Sequence, residues 1–309
     1  MKFFKPKFWD DNKISPFSIL LLPVTLLIKL FNFINRIFIK THHFSKPVIC
    51  VGNIYLGGTG KTPFCIELFS ILKALNKNPS FIRKEYRSFE DEVILLKQFG
   101  RVYESKKRID AVKNAIQNKS DVLILDDGFQ DFSIEKDLSI ICFNEKQWIG
   151  NGFMIPAGPL REELSSLMRA QCVIINGKKN VNIEKKILEK NSKIKIFYTL
   201  YRTTNIDEFK DKKILAFSGI GNHGNFVDLL KDNKINIVKE MHFPDHYNYS
   251  DKDLENLIDK AKKNDAILLT TEKDYLRINE NYRKNIKYLK IKSEIENQKE
   301  LIREIKNFI

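Results

Sequence analysis

From Pro47 onward, short β-branched runs alternate with stretches whose apolar residues recur at helical spacing. The runs are PVICVG, DVLIL at 121–125, LSIICF at 138–143 and CVIIN at 172–176, and a helix is predicted over Thr62 to Leu75. Continuous apolar strands separated by helices predict a parallel sheet covered on both faces, so the fold class is α/β. A lysine- and asparagine-rich stretch at 177–193 interrupts the pattern, and a second series then begins with KIKIFYTL, KILAFSG, INIVKEM and AILLTT. A boundary near 195–210 follows, with an N-terminal segment 1–40, a larger domain 41–205 and a smaller α/β domain 206–309. No internal repeat is visible.

The N-terminal segment has a different pattern. Pro16 to Ile28 carry no charge; as a helix this run covers about 20 Å, against a hydrocarbon core of about 30 Å. Lys2, Lys5, Lys7 and Lys13 precede it and Lys29, Arg36 and Lys40 follow, mixed with Phe3, Phe4, Phe8, Trp9, Phe31, Phe33 and Phe38. Bases at both ends and interleaved aromatics suit an amphipathic membrane helix lying on an anionic leaflet, a monotopic anchor. A tilted transmembrane helix that includes Phe31 to Ile39 and a cleaved signal peptide are the alternatives; no small-residue cleavage site follows the run.

Composition narrows the partners. Lys+Arg 53 against Asp+Glu 39 gives +14, which favours anionic partners: a phosphorylated substrate, an acidic membrane surface or nucleic acid. The lysines are dispersed and no clustered reader motif occurs, so no nucleic acid partner is expected. Four cysteines lie far apart without a CxxC pair, which indicates neither a disulfide framework nor a cysteine zinc site.

The strongest local signal runs strand, then Asn53 to Thr62 (NIYLGGTGKT), then helix. Glycines let successive backbone N–H groups curl around phosphate oxygens, and the following helix adds its positive end. Gly57, Gly58, Thr59, Gly60, Lys61 and Thr62 are therefore the ATP-binding candidates, with Lys61 reaching the β/γ-phosphates and Thr62 binding Mg²⁺. The regular phosphate-loop pattern has glycine where this chain has Tyr55. The lysine that membrane-cycling ATPases carry before the paired glycines is here Leu56. Farther on, LILDDGFQ places Asp126 and Asp127 at the carboxyl end of a buried strand, where open α/β sheets bind ligands; either can hold the metal.

VGNIYLGGTGKTP, LDDGFQ, GNGFMIPAGPLREEL, AFSGIGN, FPDHYNYS and TTEKD occur in this order after a basic, apolar N-terminus. Together they resemble tetraacyldisaccharide 4′-kinase, the lipid A 4′-kinase of Gram-negative bacteria, over nearly the whole chain to about Asp274. The resemblance implies transfer of the ATP γ-phosphate, with Mg²⁺, to the 4′-hydroxyl of a membrane-embedded, acylated glucosamine disaccharide 1-phosphate. It also implies two α/β domains with the active site in the cleft between them, and residence on the cytoplasmic face of the inner membrane. Carried over residue by residue, Asp91 matches an acid of the family, His246 its histidine, and Arg161 lies in a block placed beside the substrate. The implied catalytic set is Lys61, Asp91 as base and His246 holding or tuning it. Arg83-Lys84-Glu85-Tyr86 departs from the family's Arg-Gly-Tyr-Gly, the loop to Asp91 is short, and Asp131 stands where a histidine is usual. Acyl preference and substrate contacts near 83–91 stay open, as does the oligomeric state.

Without the resemblance the same residues read more plainly. Asp91 in SFEDE is a solvated acid, His246 after Phe-Pro-Asp a surface or structural histidine, and Arg161 with Glu162 and Glu163 the first turn of a helix. His42, His43, His223 and His242 have no recognisable partners and no role. The rival function is a membrane-associated nucleotide switch that hydrolyses ATP or GTP; its guanine-reading NKxD sequence is absent.

Overall fold

The computed structural model describes residues 5–10, 14–85 and 90–309. Lys2, Phe3, Phe4, Lys13 and Tyr86, named above, lie outside the described residues, and Glu90 is described by its backbone alone. Helix α1 (Pro16–Ile37) is followed by β1 (Val48–Gly52), α2 (Lys61–Ala74), β2 (Pro79–Lys84), α3 (Glu90–Lys97), β3 (Val102–Ser105) and α4 (Arg108–Gln117). Then come β4 (Val122–Asp126), β5 (Leu138–Asn144), β6 (Cys172–Asn176), α5 (Val181–Leu188) and β7 (Lys195–Thr203). The remainder is β8 (Lys213–Ser218), α6 (His223–Asp232), β9 (Asn236–His242), α7 (Asp251–Lys263), β10 (Ile267–Thr271), α8 (Glu272–Arg277), α9 (Glu280–Arg283), β11 (Ile286–Leu289), β12 (Ile291–Ile295) and α10 (Gln298–Lys306).

The chain forms an eight-stranded sheet of order β12-β7-β6-β5-β1-β4-β2-β3 and a four-stranded sheet of order β11-β10-β8-β9. Strands β1 to β7 pair in parallel, as do β8 to β11. The α/β parallel architecture expected from continuous apolar runs is therefore the observed one. Every residue of β1, β4, β5 and β6 is buried, as strands covered on both faces require. Helix α2 begins at Lys61, one residue before the expected Thr62, with Gly60 as its cap; Cys65, Leu68, Phe69 and Leu72 form a buried stripe at helical spacing.

The compact units do not follow a single cut in the chain. One comprises 5–85, 99–200 and 294–309, and the other includes described residues 90–98 and 201–293. The expected 41–205 and 206–309 division differs from this in two places. Helix α3 leaves the first sheet and packs on α8, while β12 and α10 return to the first unit, where α10 buries Leu301 and Ile305. The apolar patterns of α3 and α10 show that each has a buried face, but not against which sheet.

Helix α1 continues past Ile28 to Ile37, so at 22 residues it is longer than the uncharged run. By length and composition it could cross a membrane. Ser15 caps it, its hydroxyl accepting from the Phe17 N–H at 3.3 Å, and Pro16 fits the first turn. Two of its polar residues face the protein. Ser18 is fully buried and Thr25, two turns on, is 6% exposed, whereas Leu20 is 73% and Leu27 67% exposed. The Ser18 hydroxyl accepts from Asn151 Nδ2 at 3.0 Å, and the Thr25 hydroxyl accepts from the Ala157 N–H at 3.2 Å.

Candidate active site

Residues 53–60 leave β1 at the centre of the large sheet, beside β4, with Val51 in register with Asp126. The loop after β1 and the acids after β4 therefore emerge next to each other. Gly57 (φ 131°) and Gly60 (φ 89°) adopt left-handed conformations that a side chain would strain. Inside the loop, the Asn53 amide donates to the Thr59 hydroxyl at 3.1 Å and also to the Tyr55 carbonyl. Asn53 is fully buried, so it braces the curl from beneath. Tyr55, in place of the usual glycine, is buried and anchored outside the loop. Its hydroxyl donates to Asp10 at 2.6 Å, and Lys5 donates to it.

The two adjacent aspartates have different surroundings. Asp127 sits at φ 57°, a left-handed value that aspartate tolerates, and its N–H donates to the Val51 carbonyl at 2.9 Å. Its carboxylate accepts from Arg161 Nη1 at 2.7 and 2.9 Å, and Lys61 Nζ stands 3.7 Å away. Burial alone would raise its pKa, but Lys61 and Arg161 outweigh it and hold the acid at about 2. Asp126 lies deeper, 2% exposed, with Arg83 Nη1 3.4 Å from one oxygen and the Cys65 thiol 3.7 Å from the other. Burial, then the negative charge of Asp126, pushes the Cys65 thiol well up, so it remains a neutral donor. Arg108 supports the backbone of both, donating to the Asp126 carbonyl at 3.4 Å and the Asp127 carbonyl at 2.7 Å, and also donates to the Asp131 carboxylate at 3.1 Å. Asp131 itself, where the family has histidine, is held below the usual carboxylate range: burial opposes this, but Ser133 and Arg108 prevail.

Arg161 does not open a helix. Its N–H donates to the Ile54 carbonyl at 2.7 Å, so the 151–161 segment is tied to the residues before the phosphate loop. A 3-10 turn begins only at Leu164.

Asp91 and His246 belong to the other unit, and the structure brings them together there. Asp91 on α3 is 2% exposed, not the solvated acid that SFEDE alone suggests. His246 Nδ1 lies 3.4 Å from Oδ1, while Lys273 Nζ and Arg277 Nε lie 3.7 and 3.5 Å from Oδ2. These are charge contacts longer than hydrogen bonds. Neither carboxylate oxygen has a hydrogen-bond partner among the described residues. Burial alone would raise the pKa of Asp91, but His246, Lys273 and Arg277 together hold it below the usual carboxylate range.

His246 adopts φ 55°, and its N–H donates to the Gly219 carbonyl at 3.0 Å. Lys273 ion-pairs with Glu92 at 2.8 Å. Asp274 is fully buried as a hub, accepting from the Gly219 N–H at 3.0 Å, the Tyr249 hydroxyl at 2.9 Å and the Thr271 hydroxyl at 2.7 Å. Arg277 donates to the Gly219 carbonyl at 2.9 Å.

Asn53 and Arg83, although inside quoted motifs, received no role from the sequence, nor did Arg108, Glu92, Lys273 and Arg277. Lys273 stood inside TTEKD, and a cation one turn before another at 277 on a short helix was the available signal. Of the histidines without a role, His223 accepts or donates at Ser218 (2.7 Å) and stacks on His242 with centroids 4.8 Å apart.

A strand, glycine loop and helix carrying lysine and threonine, beside a strand-end acid, define a phosphate-loop nucleotide-binding protein. The profile of the family described as tetraacyldisaccharide-1-P 4′-kinase matches residues 17–309. The chain belongs to that family. It is 46% identical to the tetraacyldisaccharide 4′-kinase of Pelagibacter ubique over 97% of this chain and 96% of that one. It is 35% identical to that of Rickettsia bellii over 90% of each. Among solved structures, LpxK from Aquifex aeolicus in complex with ATP superposes with a TM-score of 0.73 at 28% identity, covering 94% of this chain and 99% of that one. The expectation drawn from the six motif blocks thus holds for family, fold and enzyme class.

Proposed function

We propose that the chain transfers the γ-phosphate of ATP to the 4′-hydroxyl of a tetraacyldisaccharide 1-phosphate held in the inner membrane, working from its cytoplasmic face. The observation that carries the reading is the combination in one chain of a formed phosphate loop facing Asp127 and a second, buried acid, Asp91, beside a histidine. Phosphoryl transfer asks for charge neutralisation, positioning and an acceptor of the hydroxyl proton.

Gly57 to Thr62 cradle the phosphates, and Lys61 offsets the charge on the transferring group. The oxygen donors Thr62 and Asp127, with Asp126 behind them, suit the hard ion Mg²⁺. When bound, Mg²⁺ neutralises phosphate charge. Arg161, held on Asp127, is the residue placed to meet the anionic substrate. Asp91 takes the proton of the acceptor hydroxyl and His246 positions it. Because Asp91 is buried, the hydroxyl reaches it only when a neighbouring side chain gives way.

The membrane assignment rests on α1, whose apolar residues face outward while its buried positions are polar. Such an arrangement leaves no reason in water for the helix to point this way, and a good one at a lipid surface. Replacing Leu20, Leu27 and Phe31 by glutamate should move the protein off anionic vesicles; retention in moderate salt would place the membrane contact elsewhere. The activity test is incubation with γ-labelled ATP and a Gram-negative lipid extract. Label in a chloroform-soluble glycolipid supports the kinase, and release of free phosphate alone would favour a nucleotide switch.

A further inference from the structure

We propose that Lys273 is a positioning residue that fixes the ring of His246 in its neutral Nδ1–H tautomer, so that this N–H points at Asp91. The inference rests on the reading of Asp91 as proton acceptor. Lys273 Nζ lies 3.3 Å from His246 Nε2. An ammonium only donates, so the nitrogen it meets must accept, and the ring proton is left on Nδ1. Nδ1 is the atom 3.4 Å from Asp91 Oδ1.

Among the described residues, the other charged groups around the pair come from three elements. Helix α3 supplies Glu92, which holds Lys273 at 2.8 Å. Helix α8 supplies Arg277, 3.5 Å from Asp91, and Asp274, which ion-pairs with Arg277. The loop after β9 supplies Asp245, whose Oδ1 lies 3.8 Å from Nε2. Asp245 is the competitor: a proton on Nε2 would face it. Its side chain is 40% exposed and beyond hydrogen-bond distance, whereas Lys273 is 21% exposed and pinned by Glu92. The geometry therefore favours the lysine.

The arrangement has a chemical consequence. A histidine whose ring proton is fixed on Nδ1 cannot itself accept the hydroxyl proton through that nitrogen, so the proton goes to Asp91. The histidine holds the carboxylate's orientation and stabilises its charge.

The test is NMR of the ring nitrogens in the isotope-labelled full chain, with His246 signals assigned by their loss in His246→Gln. In the wild-type protein at neutral pH, Nε2 should show the acceptor (pyridine-like) signal and Nδ1 the protonated one. In Lys273→Met the ring should shift toward the imidazolium or the Nε2–H form, with kcat lowered about tenfold or more and the KM for ATP unchanged. Lys273→Arg should restore the tautomer and part of the turnover, which a merely structural role would not require. An Nε2–H ring or an imidazolium in the wild-type protein overturns the inference even if Lys273→Met fails to fold. An unaltered ring spectrum in a folded Lys273→Met protein also overturns it. The expected tautomer together with normal turnover in Asp91→Asn would sustain the tautomer assignment while rejecting Asp91 as the base.

Discussion

Half-buried Asp127 and buried Asp91 both sit among cations, and both are held below the usual carboxylate range, yet they are held differently. Asp127 receives hydrogen bonds from Arg161 at 2.7 and 2.9 Å, so its lone pairs are engaged. Asp91 has three cationic or histidine groups at 3.4 to 3.7 Å and no hydrogen bond among the described residues. Charge at a distance keeps a carboxylate ionised without occupying its lone pairs, whereas a direct hydrogen bond does both. The first arrangement suits an atom that must take a proton, and the second an atom that must hold a cation or an arginine in place.

The sharpest way to break this contrast is to neutralise each acid in turn. Asp91→Asn should lower kcat by about a hundred- to ten-thousandfold, the range of general base catalysis, with nucleotide affinity nearly unchanged. Asp127→Asn should instead weaken binding of the metal–nucleotide pair, read by titration with and without Mg²⁺. Equal effects on ATP binding from the two variants would erase the distinction.

Lys61→Ala should lower kcat by at least about a hundredfold in a folded protein; near-normal turnover would remove the loop from the mechanism. A smaller effect is expected from pairing. If Asp91 and His246 act as one unit, the double alanine variant should be little worse than the poorer single one, and fully additive losses in kcat would separate them.

The smallest effect is on stability. The folded-state pKa of Asp127 is depressed to about 2, so its contribution is present above the unfolded value of about 4 and disappears as pH falls toward about 2. The amount is about 2 kcal/mol, by the usual conversion of a shift of this size. Acid unfolding of Asp127→Asn should lack that component. Asp91 is also depressed, so an activity loss between neutral pH and about pH 5 would have to come from another group.

The phosphate loop was legible because all its chemistry lies within ten consecutive residues, Asn53 to Thr62, between a strand and a helix that periodicity reveals. The acids after β4 were legible for the same reason. Asp91 was not, since in the charged stretch SFEDE it reads as a solvated acid; what buries it is α8, more than a hundred residues away in sequence, and only the family likeness pointed to it. Arg83 and Arg108 were missed because basic residues at a strand end or helix start look like surface charge. Their burial at 5% and 6% comes from the acids they face. The alternation of apolar runs gave the strands, but pairing partners depend on crossovers that no local pattern encodes. Thus the expected 41–205 division keeps α3 with the larger domain, whereas its contacts group it with 201–293.

The path of the chain also governs how the protein can be made. The nucleotide-binding unit includes residues 294–309, and α10 is fastened to α2, which follows the phosphate loop, where Gln298 donates to Glu67 at 3.0 Å. During translation the phosphate-loop residues leave the ribosome early, yet the sheet that carries them lacks its edge strand and this helix until almost the entire described chain has emerged. The second unit is encoded as an insertion and is available to fold first. A nascent chain arrested shortly before residue 294 would therefore present the outward-facing apolar side of α1 and an unfinished nucleotide site together.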